Sequence, residues 1–101
     1  MAKPKHFNRL AKHYPDFTAA VEQLGETVRK AGPLEPKACE LIQLAAAAAI
    51  RSEGAVHSHA RRAQKAGATP EELEHALLLL TSTIGFPAVS AALSWIDDSR
   101  D

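Results

Sequence analysis

Ala45 to Ala49 are five alanines in a row, set in the apolar stretch from Leu41 to Ile50. Alanine is the best helix former and carries almost no side-chain bulk. Flanked by leucine and isoleucine, such a run is a helix that is apolar on every face. It is expected to be the central helix, packed on several sides with neighbouring backbones close to it. The rest of the chain has to supply those neighbours.

The neighbours are helices as well. No stretch alternates apolar and polar residues in the manner of a strand, and no run is rich in β-branched residues. Gly and Pro mark the boundaries. Residues 1–14 form an N-terminal arm or short helix, and Pro15 suits a first helical position. From Asp16 to Ala31 the residues Phe17, Ala20, Val21, Leu24 and Val28 make one apolar stripe, closed by Gly32 and Pro33. Pro36 opens the central helix, and Ser52-Glu53-Gly54 breaks or kinks it. A helix from Val56 to Lys65 stops at Gly67. Thr69-Pro70-Glu71-Glu72 is a helix start, with Thr69 as N-cap and Glu72 three residues on. That helix runs to about Thr83, and Pro87 begins the last one. The main domain spans 15–97, and the polar tail 98–101 is expected to fray.

The stretch from Ala76 to Ile96 holds no charged residue and is long enough to span a bilayer. Gly85-Phe86-Pro87 interrupts it and five hydroxyl residues dilute it, so two shorter buried helices account for it better. The chain has 101 residues, a one-domain length. Twelve basic and twelve acidic residues leave no net charge, which argues against capture of nucleic acid or an anionic membrane. Cys39 is the lone cysteine, so no internal disulfide forms, and no Cys/His spacing suggests structural zinc. The basic start lacks an apolar segment after it, so no signal peptide is evident and a cytoplasmic location is expected.

Glu40 is followed, after eleven residues, by Ser52; two residues later stands Ala55, and three later His59. Gly67-Ala68-Thr69-Pro70-Glu71-Glu72 follows. This pattern resembles the active-site stretch of the carboxymuconolactone decarboxylase/alkylhydroperoxidase D family, whose peroxidase branch reads Glu-x11-Cys-x2-Cys-x3-His before a Gly-x-Thr-x-Glu-Glu turn. Tyr14-Pro15, Gly32-Pro33-Leu34-Glu35-Pro36-Lys37, Glu40-Leu41-Ile42-Gln43-Leu44-Ala45 and Gly85-Phe86-Pro87-Ala88 extend the resemblance over about Tyr14 to Trp95. It implies an all-α helical bundle that assembles into trimers or hexamers. Composition agrees independently: helices this apolar, ending in Leu77-Leu78-Leu79-Leu80, exceed what a small monomer buries.

By that resemblance Glu40 and His59 stand where the family keeps its acid–base pair, and Ser52 and Ala55 stand where its redox cysteines belong. A hydroxyl and a methyl cannot reduce a peroxide by closing a disulfide. Cys39 is no substitute: it neighbours Glu40 on one helix, so the two side chains diverge by about 100°, and a buried structural cysteine is the ordinary case. A carboxylate among leucines and alanines needs a partner, and His59 is the candidate. The plain alternatives are a surface or interface charge for Glu40 and a purely structural hydrogen bond for His59. Ser52 is a candidate hydrogen-bond donor to a ligand, and His57 is a second candidate for substrate binding. His57 and His59 invite a metal, but residues two apart on a helix point nearly opposite ways; a shared ion would need a non-helical turn or a second chain, with Glu40 as third ligand. No metal or cofactor is therefore assigned. Arg62, like Arg61, is either a solvated charge or a binder of a substrate carboxylate.

Three functions compete. One is acid–base chemistry of the decarboxylase-like branch, with His59 donating a proton and Glu40 tuning it. That branch commonly has a tyrosine before its Gly-x-Pro turn, where this chain has Thr83 and Ile84. The second is the peroxiredoxin-like activity that the family label suggests and the missing cysteines oppose. The third is a non-catalytic oligomer that binds a small molecule.

Overall fold

A computed structural model describes residues 5–100, with side chains for residues 5–97. The polar tail expected at 98–101 falls, in its side chains and last residue, outside the described part. Every element among the described residues is helical. The chain forms two compact units, one up to Pro33 and one from Leu34 onward.

The first unit holds α1 (Lys5–His13) and α2 (Pro15–Arg29). Helical bonding continues to Tyr14, whose N–H reaches the Leu10 carbonyl at 2.7 Å. Pro15 then ends the ladder because it has no N–H, and its fixed φ starts the next helix. Thr18 is buried, and its hydroxyl lies 3.1 Å from the Pro15 carbonyl and 3.3 Å from that of Tyr14. The apolar stripe of α2 is not buried: Phe17, Val21, Leu24 and Val28 are all exposed.

The second unit is built on α3 (Pro36–Ala49) and α4 (Glu53–Lys65). The connection between them is Ile50 to Ser52, short enough to make an αα-hairpin. Leu44, Ala47 and Ala48 of α3 meet Val56, Ala60 and Ala63 of α4 in one core. Small side chains on both helices allow a close approach. Leu73 and Leu77 of α5 (Pro70–Leu78), Ala68, and Ala92 and Ile96 of α7 (Phe86–Arg100) complete it. The alanine helix is thus packed within the chain on one face, while Ile42, Ala46 and Ala49 lie on an exposed one. The helix expected to be packed on several sides meets α4, α5 and α7, and has one side left open.

The turns follow their residues. After α4, Gly67 takes φ of 102°, its N–H bonds Gln64 at 3.0 Å, and the Ala68 N–H bonds Ala63 at 2.9 Å, a Schellman closure. After α3 the same closure uses Arg51 at φ of 59°, with Ser52 N–H on Ala47 at 3.0 Å. Ser52-Glu53-Gly54 therefore does not kink one helix. It starts a second, with the Ser52 hydroxyl accepting the Ala55 N–H at 3.3 Å. Thr69 and Glu72 form the expected capping box, at 3.1 and 2.8 Å. Glu72 also pairs with Lys37 at 3.0 Å, tying the start of α5 to the first turn of α3.

The helix expected to run to about Thr83 divides into α5 and a short α6 (Thr81–Ile84). The Thr81 hydroxyl donates to the Leu78 carbonyl at 2.8 Å and competes with the backbone ladder there. Gly85, at φ of 91°, then separates α6 from α7. Among the described residues no helix is long and apolar enough to cross a membrane. The helix α7 continues to Arg100, through the stretch where fraying was expected.

Candidate functional site

Glu40 lies in the first half of α3, on the same face as Leu44, Ala47 and Ala48. It is the only charged residue in the buried set of described residues, with 5% of its surface exposed. A lone carboxylate there would be costly, and the fold supplies a partner. His59, half-buried on α4, places Nδ1 3.0 Å from Glu40 Oε1. An ionised carboxylate only accepts, so Nδ1 carries the proton. Neutral His59 is then left with its lone pair on Nε2. The pair thus holds one tautomer and one ring orientation, and leaves Nε2 as the nitrogen able to exchange a proton with a third group.

The positions along α4 decide what can join them. Ser52, Ala55, His59 and Arg62 recur at intervals of three, four and three, so they follow one flank of the helix. His57 lies two residues from His59 and points about 160° away from it. It is bonded instead to Glu53 of its own helix, Nε2 to Oε2 at 3.3 Å. Sequence reasoning missed Glu53, although its i,i+4 spacing to His57 is visible in the chain.

Ser52 is on the flank but not beside His59. Seven residues of helix separate them by about 10 Å, and its hydroxyl is engaged as the N-cap. A Ser52–His59 nucleophile–base couple is not formed. Ala55, one turn from His59, marks the position where a longer side chain would meet the imidazole. Arg62 is exposed in the last turn of α4, where its charge also suits the helix C-terminus. The structure therefore joins Glu40 and His59 directly, aligns Ser52 and Arg62 on the same flank, and sets His57 elsewhere.

Cys39 is half-buried, with Sγ 3.5 Å from the Leu34 carbonyl. No group of three His, Cys, Asp or Glu among the described residues is arranged to hold a metal. An open recess of about 660 Å³ is lined by Glu35, Pro36, Lys37, Lys65, Ala66 and Gly67, none of them a residue of the pair.

Among known proteins, residues 15–98 match the carboxymuconolactone decarboxylase family. An uncharacterized protein of Haemophilus influenzae is 40% identical over 59 residues, covering 58% of this chain and 52% of that protein. The match thus spans about half of that relative's length. No solved structure matches the chain.

Proposed function

Since the chain belongs to the carboxymuconolactone decarboxylase family, we propose that it keeps an acid–base site at Glu40 and His59 for a small, carboxylate-bearing molecule. The observation that carries this reading is the 3.0 Å contact between a buried carboxylate and a half-buried imidazole on facing helices. In a decarboxylation, the bond to the departing carboxylate breaks and CO₂ leaves. The electron pair passes into a conjugated carbonyl of the substrate, and the resulting carbanion takes a proton. His59, first protonated at Nε2 from solvent, delivers that proton, while the Glu40 carboxylate stabilises the imidazolium that carries it. Arg62, on the same flank, is the proposed anchor for a second carboxylate. Ser52 is proposed as a hydrogen-bond donor to the ligand through its O–H, its oxygen already accepting the Ala55 N–H, and His57 only as a rim residue.

The test is CO₂ release from a panel of small unsaturated lactone acids, with wild type beside Glu40→Gln and His59→Ala. Turnover lost in both variants supports the reading. Turnover that survives His59→Ala removes it.

The peroxiredoxin-like alternative predicts thiol-dependent peroxide reduction. Ser52 and Ala55 supply no sulfur for it, so wild type is expected to be inactive in that assay. Robust turnover that survives Cys39→Ser would contradict the sulfur argument. A non-catalytic, ligand-binding role is favoured by one feature, the recess that lies apart from the pair. A small molecule bound there, with Glu40→Gln leaving its affinity unchanged, would support that role.

We propose further that the chain acts as a homo-oligomer, a trimer or hexamer. In support, Ile42, Ile50, Leu78, Leu79 and Phe86 are all more than half exposed. Apolar surface on that scale is what subunit contacts cover.

A further inference from the structure

We infer that α2 pairs with α2 of a second copy of this chain, antiparallel across a twofold axis. The inference rests on the self-association proposed above, in its hexameric form, since a trimer has no twofold axis, and assigns it a particular surface. Tyr14, Phe17, Val21, Leu24 and Val28 follow one another at intervals of three, four, three and four. That is the recurrence of a coiled-coil seam. These side chains are 61%, 59%, 52%, 62% and 56% exposed. A helix packed only within its own unit turns such a stripe inward. Here the residue turned inward is Thr18, a polar side chain satisfied by carbonyls of its own helix start.

The flanks of the seam indicate the occupant. Thr18 and Gly25 border it on one side, and Ala20 and Thr27 on the other. Coiled coils commonly place charges at these positions to choose among partners. The flank residues carry no charge of their own, so an identical helix meets no like-charge pair among them. Asp16, Glu22, Glu26 and Lys30 lie outside the seam and its flanks, while the Arg29 guanidinium lies over Gly25 on one flank, where it can meet Asp16 of the second copy. The chain as a whole has no net charge to oppose self-association.

Antiparallel pairing centred between Glu22 and Gln23 also matches sizes. It sets Tyr14 against Ala31 of the second copy, Phe17 against Val28, and Val21 against Leu24. It brings Asp16 level with Arg29 and opposes the two helix dipoles favourably. One helix seam is at the small end of specific interfaces, so the association is concentration-dependent.

The test is sedimentation of the full chain over a wide concentration range, beside a Val21→Glu/Leu24→Glu variant whose helicity is followed by circular dichroism. Both positions are exposed, so the variant should fold. The expected result is a wild-type assembly whose mass falls by half or more in the variant, with helicity kept. A wild type that stays monomeric throughout overturns both the seam and the self-association. An assembly whose mass the variant leaves unchanged overturns the seam alone. If the charged variant loses helicity, cross-linking decides. Chains carrying Val21→Cys are mixed with chains carrying Leu24→Cys, all with Cys39→Ser, and mildly oxidised. A mixed covalent dimer supports the antiparallel seam, and its absence overturns it.

Discussion

The Glu40–His59 contact fixes a tautomer, and that is a property of one proton. With Nδ1–H directed at the carboxylate 3.0 Å away, neutral His59 should show its lone pair on Nε2. Nitrogen NMR of labelled histidine is expected to report that form in wild type and a mixture of tautomers in Glu40→Ala. The same variant leaves a half-buried N–H without its acceptor, so chemical denaturation should show a loss of about 1–3 kcal/mol. No loss would mean that water replaces the carboxylate without cost, and the pair would have no structural hold on the ring. That Glu40 and His59 meet was legible from the family resemblance and the apolar surroundings of Glu40. That His57 turns to Glu53 was legible too, in an i,i+4 pair hidden among more suggestive histidines. The role of Ser52 was not, because a hydroxyl at a helix start and a hydroxyl at a site look alike until the helix boundary is known.

At the scale of elements, the turns carry the clearest energetic consequences. Arg51 holds a left-handed conformation in a position that glycine fills after α4. Arg51→Gly is expected to raise stability by up to about 1 kcal/mol, as seen in the unfolding midpoint, because the penalty on a β-carbon disappears. Glu72 has a carboxyl held below the ordinary range, first by the Thr69 backbone N–H and then by Lys37. A carboxyl lowered in the folded state contributes stability above its unfolded value and loses it as pH falls through the folded one. Glu72→Gln should therefore be less stable than wild type at neutral pH. The gap should close on acidification below the ordinary carboxylate range, where the wild type loses the same contribution. A gap independent of pH would show that the charge is idle. The caps themselves were readable because Thr69-Pro70-Glu71-Glu72 states its geometry in its residue types. The break between α5 and α6 was not, since it turns on which carbonyl the Thr81 hydroxyl chooses.

For the molecule as a whole, helical periodicity was enough to call the class, because nothing in the chain competes with it. Which apolar faces stay inside was beyond it. The α2 stripe and the outer face of α3 look like core in the sequence and are exposed in the structure, for periodicity marks an apolar face without saying whether the chain's own core covers it. The proposed function holds that Glu40 and His59 keep a proton-handling geometry while Ser52 and Ala55 stand where the resemblance places cysteines. Putting the sulfur back tests this without knowledge of a substrate. A Ser52→Cys/Ala55→Cys variant places one thiol at the start of α4 and the other one turn from His59, where a helix N-terminus favours the thiolate. The measurement is peroxide reduction with a dithiol as electron donor. No turnover is expected in wild type, turnover in the double variant, and its loss when His59→Ala or Glu40→Gln is added. A double variant that closes its disulfide yet reduces peroxide no faster than wild type, or one indifferent to His59, would contradict it.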